Sequence, residues 1–306
     1  MSDKMLLIPR LKVQNANALS SPFTIGFPAM TAWLGAVHAL QRKLNENAIA
    51  VEFEAVGVVS HNLDLQTYKG PGDFDYSIIG TANPVDKDGS RPAFIEEARC
   101  HLEVSLVIQH SNIGKQDEAT LIEKLSHILN SGMKIAGGDI LAFEPPTFFR
   151  DFKRLRPRLM PGYVLIERRE LMQKAMEEGQ DALDAILDYL VIHHRCEKQE
   201  TDDQTTVSWT SARKISGQDG ARGWIVPIAT GFQGISELDF AQNQRDPETQ
   251  HCFAEAVVTL GEFKMAYRFE SVDELLWHNH YDEENSLYLC QQIRMDSEKL
   301  FLEDGF

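Results

Sequence analysis

The strongest constraint on this chain is the order of its hydrophobic periods. A strand-like alternation, a helical stripe and a second alternation are followed by the same three again. Residues 5–13 (MLLIPRLKV) read as a strand, with Pro9 marking an edge or a bulge. Residues 30–44 place Trp33, Leu34, Val37, Leu40 and Leu44 on one helical face, and residues 50–60 alternate as a second strand. Residues 100–109 alternate again, with Leu102, Val104, Leu106 and Ile108 on one side. Residues 117–133 carry the stripe Leu121, Ile122, Leu125, Ile128 and Leu129, with Thr120 and Glu123 at capping-box spacing. Residues 135–143 form a fourth strand that holds Gly137-Gly138. This order is the split βαβ, ferredoxin-like arrangement, which RNA-recognition domains also use. The expected class is therefore α+β, with a ferredoxin-like βαββαβ core over residues 1–145.

Two segments interrupt that order. Residues 14–29 (QNANALSSPFTIGFPA) are polar, contain Gly26 and two prolines, and read as a long loop of the kind that often carries function. Residues 62–92 are rich in Gly, Asp and Pro, and the strand-like Tyr76-Ser77-Ile78-Ile79 within them indicates an extended hairpin or protruding insertion. Past residue 145 the periods are weaker. They suggest a strand at 162–167, a helical stretch through 181–195, an exposed acidic loop at 199–206 and a strand at 224–228. A helix at 252–260, a strand at 264–269 and a helix capped by Ser271 to Glu274 and running to about His280 complete the reading. Residues 146–306 are expected to form a mixed α/β elaboration packed on the core. No internal repeat or low-complexity tract is visible.

The chain has 306 residues, with 30 Lys and Arg against 46 Asp and Glu, a formal net charge of −16. Taken as an average, that argues against a polyanionic ligand. The charge is unevenly spread, however. Residues 1–43 carry five bases and one acid, and residues 150–169 carry seven bases and two acids. Residues 170–207 carry ten acids and three bases, and residues 270–306 ten acids and two bases. Such a bipolar chain can hold a polyanion on one side and a basic partner on another. No apolar run approaches the roughly 20 residues of a membrane span, and Met1-Ser2-Asp3-Lys4 lacks the layout of a signal peptide. Cys100, Cys196, Cys252 and Cys290 lie far apart, which points to a reduced cytoplasmic protein with no membrane partner.

Phosphate-loop, dinucleotide, nucleophile-elbow and zinc-protease motifs are all missing, and no cofactor or metal is expected. Gly137-Gly138 reads as close packing or a bulge in a strand rather than a phosphate cradle. His278 and His280, two apart on an expected helix, would point roughly 200° apart and could not share an ion. His193 and His194 are adjacent and no better placed. His38 is the candidate general base for metal-free RNA cleavage, although a half-buried or phosphate-contacting histidine is the plainer interpretation. Gln14, Asn15, Asn17, Ser20 and Ser21 suit contacts to bases, ribose and phosphate, and equally suit turns that bond their own backbone. Phe23, Phe27, Tyr68, Phe74 and Tyr76 include candidate stacking rings, but as a group they read mainly as loop anchors.

These residues form a pattern. Leu6-Leu7-Ile8-Pro9-Arg10-Leu11, Gln14-Asn15-Ala16-Asn17-Ala18, Ser20-Ser21-Pro22, Gly26-Phe27-Pro28 and His38-Ala39-Leu40-Gln41-Arg42 resemble the second subunit of the type I-F CRISPR surveillance complex, a Cas-five-like family of the RAMP superfamily. The likeness continues through residues 96–106 (EEARCHLEVSL), 156–163 (RPRLMPGY), 223–231 (GWIVPIATG) and 275–280 (LLWHNH), while 62–92 and 195–222 match the family pattern poorly. The resemblance implies a non-catalytic RNA-binding subunit: a ferredoxin-like core with a protruding β-hairpin thumb, placed near 62–92. It implies a grip on the 5′ handle of the CRISPR RNA, pairing with the large subunit, contact with the first backbone subunit, and target DNA near that end of the complex. The residues expected to contact RNA are Arg10, Gln14, Asn15, Asn17, Ser20, Ser21, Arg42, Arg150, Lys153, Arg154, Arg156 and Arg158. Two alternatives stand beside it: a metal-independent endoribonuclease that uses His38 and processes precursor CRISPR RNA, and a scaffold subunit that barely touches RNA.

Overall fold

The computed structural model describes residues 4–47, 49–80, 85, 87–91, 97–201, 204–213, 224–242, 244 and 246–292. Its first strand, β1 (Met5–Asn17), outlasts the alternation that announced it. A small hairpin follows, β2 (Leu19–Ser21) and β3 (Thr24–Ile25), and then α1 (Met30–Glu46). Next come β4 (Phe53–Leu65), the short pair β5 (Thr67–Tyr68) and β6 (Ser77–Ile78), and β7 (Arg99–His110). Helix α2 (Glu118–Gly132) leads into β8 (Lys134–Ile135), β9 (Gly138–Ala142) and β10 (Thr147–Phe149). Helix α3 (Phe152–Leu155) runs into a 3-10 turn (Arg156–Leu159), followed by β11 (Tyr163–Glu167), α4 (Arg169–Glu177) and α5 (Ala182–Leu190). The remainder is β12 (Ile192–Thr201), β13 (Gln204–Arg213), β14 (Trp224–Gly234), β15 (Ala254–Met265), two 3-10 turns (Ala266–Arg268 and Asp273–Leu275), β16 (His278–Asp282) and β17 (Leu287–Gln291). No helix among the described residues is long and apolar enough to cross a membrane.

One antiparallel sheet runs through both halves of the chain, in the order β16-β17-β14-β15-β11-β4-β7-β1-β9-β8, with β10 on β1 as well. The class is α+β. At its centre, β7 is straight and both of its neighbours are bulged. On β1 the register slips between Ile8 and Leu11 and again between Val13 and Ala16, and Arg10 and Asn15 take positive φ there. Each slip inserts one residue, so the inward-facing positions become Leu6, Ile8, Leu11, Val13 and Ala16 instead of a strict alternation. Strand β4 slips twice against β7 in the same way, between Phe53 and Ala55 and between Ser60 and Asn62.

Two cores result, one on each face. The α1 stripe (Met30, Trp33, Leu34, Val37, Leu40 and Leu44) and the α2 stripe (Leu121, Leu125, Ile128 and Leu129) bury Leu6, Ile8, Val104, Leu106 and Ile108. On the other face, Met5, Leu7, Val59 and Val107 are covered by Phe152, Leu155, Leu159, Phe269 and Leu275 from α3 and the turns. Burial on both faces is why residues 5–8 form a continuous apolar run. Trp277 joins the halves: its indole Nε1 donates to the Leu165 carbonyl at 2.9 Å, and its backbone pairs with Val56.

Several expected elements change form. The 14–29 loop is partly strand, because the bulged β1 continues and β2–β3 forms a hairpin. The single strand at 135–143 is the β8–β9 hairpin, turned by Ala136 and Gly137, both at positive φ. Asp117, not Thr120, precedes α2, and it makes no side-chain cap. The helix through 195 stops at Leu190, and the acidic loop at 199–206 belongs to paired strands β12 and β13, apart from 202–203, which lie outside the described residues. The helices expected at 252–260 and 271–280 are β15 and a 3-10 turn leading into β16, since pairing in the sheet overrides the helical propensity of Ala, Glu and Leu.

Gly138 sits where β9 crosses the second bulge. A Cβ there would lie 2.6 Å from the Gln14 carbonyl oxygen and 2.8 Å from the Ala16 nitrogen. Gly138→Ala should therefore cost about 1–3 kcal/mol, read as a lower urea midpoint at constant slope. Gly35→Ala, exposed on α1 with nothing within 4 Å of the new methyl, should instead raise stability by about 0.5–1 kcal/mol.

Candidate nucleic-acid interface

The second face of the sheet is only half covered. Along β7, Leu102, Val104 and Leu106 turn to the helices, so Arg99, His101, Glu103 and Ser105 turn to the other side. Core residues close over the Ser105–Val107 end. At the Arg99 end the face is open, and the exposed Lys12, Gln14 and Asn15 of β1 lie beside it. Asn15 N–H donates to His101 Nδ1 at 3.1 Å, which leaves the Nε2 edge of that ring to carry its proton. Arg99 forms an ion pair with Glu97 and reaches the Asn15 carbonyl at 3.5 Å. The result is a polar platform with an imidazole, several amides and two cations, of which Arg99 is paired with Glu97 and Lys12 lies opposite Glu103.

A hydrogen-bonded network marks the boundary between the covered and open halves. Arg10 N–H donates to Ser105 Oγ at 3.0 Å, and its guanidinium donates to Glu103 (3.0 Å) and to the Met160 carbonyl (3.2 Å). His61 Nδ1–H donates to the Pro161 carbonyl at 2.6 Å, so Nε2 accepts from the Ser105 hydroxyl at 2.7 Å. Burial lowers the pKa of His61, and the neighbouring Arg10 charge lowers it further, which suits this neutral tautomer.

The structure separates the expected RNA-contacting residues into groups. Arg10 lies in the boundary network with its guanidinium engaged. Asn17 folds back on Leu19 through both side-chain atoms, at 2.9 and 3.1 Å. Ser20 and Ser21 bond Thr24 Oγ1 at 2.9 and 2.7 Å and brace the β2–β3 turn. For these three, local turn bonding is what the side chains do. Gln14 and Asn15 remain on the platform, and Arg42 is exposed on α1. Arg150 to Arg158 lie toward the other end of β1, where Met5 pairs with Phe149. Nine residues of strand put roughly 30 Å between Arg150 and Gln14, whereas Arg158 lies nearer the middle of β1, because Glu144 beside it bonds the Pro9 carbonyl. Arg150 pairs with Glu118 at 2.6 Å, Arg156 donates to the Phe269 carbonyl at 3.0 Å, and Arg158 lies 3.9 Å from Glu144. Lys153 and Arg154 are exposed, and Arg154 with Arg150 and Lys115 lines an open cleft of about 550 Å³.

Of the five loop rings, only Phe27 is an anchor: it stacks on Trp33 at 5.4 Å and meets Phe263 edge-on. Phe23, Tyr68, Phe74 and Tyr76 are all exposed, and Lys69 lies 5.2 Å over Tyr76. The 67–78 hairpin leaves the sheet at Gln66, whose N–H donates to the Arg99 carbonyl, so it projects from the rim of the platform. Lys12, Arg99 and His101 were not singled out by the sequence, although the odd positions of an alternating strand were the signal for Arg99 and His101.

His38 is exposed on α1, beside a cavity also lined by Gln41, Glu54, Asn279 and Tyr288. His278 and His280 are on strand β16, not a helix, and so share a side. Among the described residues no group of three or more His, Cys, Asp or Glu is placed to hold a metal ion.

An α+β sheet with a polar face half exposed is shared by many unrelated proteins, and it is comparison with known proteins that sets the chain among the CRISPR-associated proteins of the RAMP superfamily. It belongs to the Csy2 family: the family model described as CRISPR-associated protein (Cas_Csy2) matches residues 6–290. CRISPR-associated protein Csy2 of Pseudomonas aeruginosa (strain UCBPP-PA14) is 33% identical over 316 aligned residues, covering 94% of each chain.

One buried group beside the Arg150 cleft gives a pH test. His110 is buried against Phe148, and its Nδ1 has no hydrogen-bond partner among the described residues. Burial, with Lys4 and Arg150 nearby, pushes its pKa from 6.5 down to about 4. The unfolded chain then takes up a proton that the folded chain refuses, so stability is lost as pH falls from about 6.5 to 4. His110→Phe should flatten the fall in melting temperature across that window, and an unchanged slope would refute the assignment.

Proposed function

We propose that this chain is a non-catalytic CRISPR-RNA-binding subunit of a cytoplasmic type I-F surveillance complex, holding the 5′ handle of the guide and pairing with the large subunit and the first backbone subunit. The observation that carries the RNA reading is the half-open sheet face. Backbone pairing makes it rigid, and Lys12, Arg99, His101 and the amides of Gln14 and Asn15 supply donors for phosphate and ribose.

The strand order β4-β7-β1-β9, with α1 and α2 on one face, supports treating residues 1–145 as a ferredoxin-like βαββαβ core and 146–306 as its elaboration. Besides the small β2–β3 hairpin, two hairpins among the described residues stand clear of the main sheet. The longer is β12–β13, and the other, β5–β6, lies within the 62–92 insertion. We place the thumb in the 62–92 insertion because its β5–β6 hairpin rises beside Arg99 and presents Tyr68, Phe74 and Tyr76 with Lys69, while residues 81–84, 86 and 92 of that insertion lie outside the described residues. Exposed rings next to a cation suit unstacked bases. The exposed Lys153 and Arg154, at the far end of β1, would extend the electrostatic track. Arg156 and Arg150 are tied to protein partners and serve it less. Family membership favours RNA retention over cleavage, so His38 takes no catalytic role in this proposal, and target DNA is placed near the same end of the complex.

The test is RNA retention by the complex assembled with Lys12→Ala/Arg99→Ala or with Lys153→Ala/Arg154→Ala. Each pair should weaken retention, and each lost phosphate contact should flatten the plot of log affinity against log salt by about 0.7. Retention and salt slope equal to the parent for both pairs would overturn the assignment of RNA to this face.

A further inference from the structure

We infer that the far end of the β14–β15 hairpin is a docking surface for a protein partner whose contacting face is apolar and rimmed with lysine and arginine. Beyond the last sheet pair, Gly234 with Ala254, the described residues of the connection (235–242, 244 and 246–253) form a ribbon that is mostly exposed. Ile235, Leu238, Phe240 and Phe253 are 58%, 51%, 58% and 65% exposed. Four such side chains at one tip are more than scattered surface apolars explain.

The ribbon is nevertheless built. Ile235 N–H donates to the Phe253 carbonyl at 2.8 Å, Phe253 N–H to Ser236 Oγ at 2.9 Å, and Asp239 and His251 exchange backbone bonds at 3.0 Å. Gln244 buckles the end, accepting from Ala241 N–H and donating to the Asp246 and Thr249 carbonyls. The β16–β17 turn braces its base, since Gly234 N–H reaches the Ser286 carbonyl at 2.8 Å and Gln233 reaches the Asn285 carbonyl at 2.6 Å. A segment ordered by its own polar bonds while its apolar side chains stay in water is pre-organised for a partner, and little conformational entropy would be lost on docking.

Charge selects the occupant. Residues 234–255 and 281–286 together carry eight acids and one base, including Glu237, Glu248, Glu283 and Glu284. Hydrogen bonds from Glu248 N–H and Thr249 to Asp246, and from Asn285 to Asp282, hold those two carboxyls below the ordinary carboxylate range, so the negative charge persists at mildly acidic pH. An anionic rim repels RNA and anionic lipid and steers a basic protein surface. The chain's own residues 293–306 carry four acids against two bases, the wrong sign for this rim.

The inference rests on the chain acting within a protein complex, but not on where its RNA lies. The test uses the full chain, with Phe240 replaced by the photo-crosslinking residue p-benzoylphenylalanine, co-expressed with the other proteins of its complex with and without guide RNA. The expected adduct is with a lysine- and arginine-rich peptide of another protein subunit. In the same system, Glu237→Lys/Glu283→Lys/Glu284→Lys should lower recovery of that subunit by about tenfold, while the circular dichroism of the variant and its RNA affinity are not reduced. An adduct with RNA, with a second copy of this chain or with residues 293–306, absence of any adduct, or full recovery with the charge-reversed variant would overturn the proposal. Loss of RNA with docking intact would instead count against the RNA reading alone.

Discussion

Much of the structure depends on the pairing of β1 with β7 and on the two extra residues that β1 brings to it. Each bulge restores parity after the chain has slipped by one, so Leu11 and Val13, and then Ala16, return to the helix side. Without them the stretch between the two slips would face the wrong way, and the α1 and α2 stripes would meet Lys12 and Gln14 in place of Leu11 and Val13. The same slips place Arg10 and Asn15 at positive φ, and both residues then work on the opposite face. One device therefore sets the core and delivers the polar platform.

The platform exists because the second core stops halfway. Phe152, Leu155, Leu159 and Leu275 cover β1 and β7 only as far as the Ser105 row, where Arg10, His61 and Glu103 take over. Past that row no apolar layer among the described residues covers the strands, and their outward positions carry Arg99, His101 and Lys12. A partly covered sheet of this kind differs from a cleft: it offers a surface with direction, running along the strands, and suits an extended ligand better than a compact one. The network at the boundary also makes Arg10 a brace, with its charge largely neutralised by Glu103.

The N-terminal half was legible because strands and helices there have two clear periods, and the alternation of Leu102 to Ile108 announced a strand correctly, though not that Ser105 and Val107 are buried on its other face. What the periods could not announce was continuity through a bulge, since the parity change at Pro9-Arg10 and at Gln14-Asn15 looks like the end of a strand. The same limit kept Asn17, Ser20 and Ser21 ambiguous: a short polar side chain that braces a turn has the composition of one that reads a base. In the C-terminal half, residues 254–260 (AEAVVTL) mix helix formers with β-branched residues, and pairing with β14 decides for strand. The basic residues at 150–158 were visible as a cluster. Their partners Glu118, Glu144 and the Phe269 carbonyl come from distant positions that no local pattern reveals.

The shared sheet also has a consequence for how the chain is made. On its outer edge β4 is paired by Tyr163 and Val164, about a hundred residues later, and Val56 is bridged by Trp277, later still. During synthesis, therefore, β4 emerges and pairs with β7 while its other edge waits for β11. For that interval a strand rich in valine presents unpaired amides, the template that neighbouring nascent chains can extend. Translation speed through residues 111–162, and the presence of a chaperone over that edge, then become determinants of yield that no property of the finished surface would disclose.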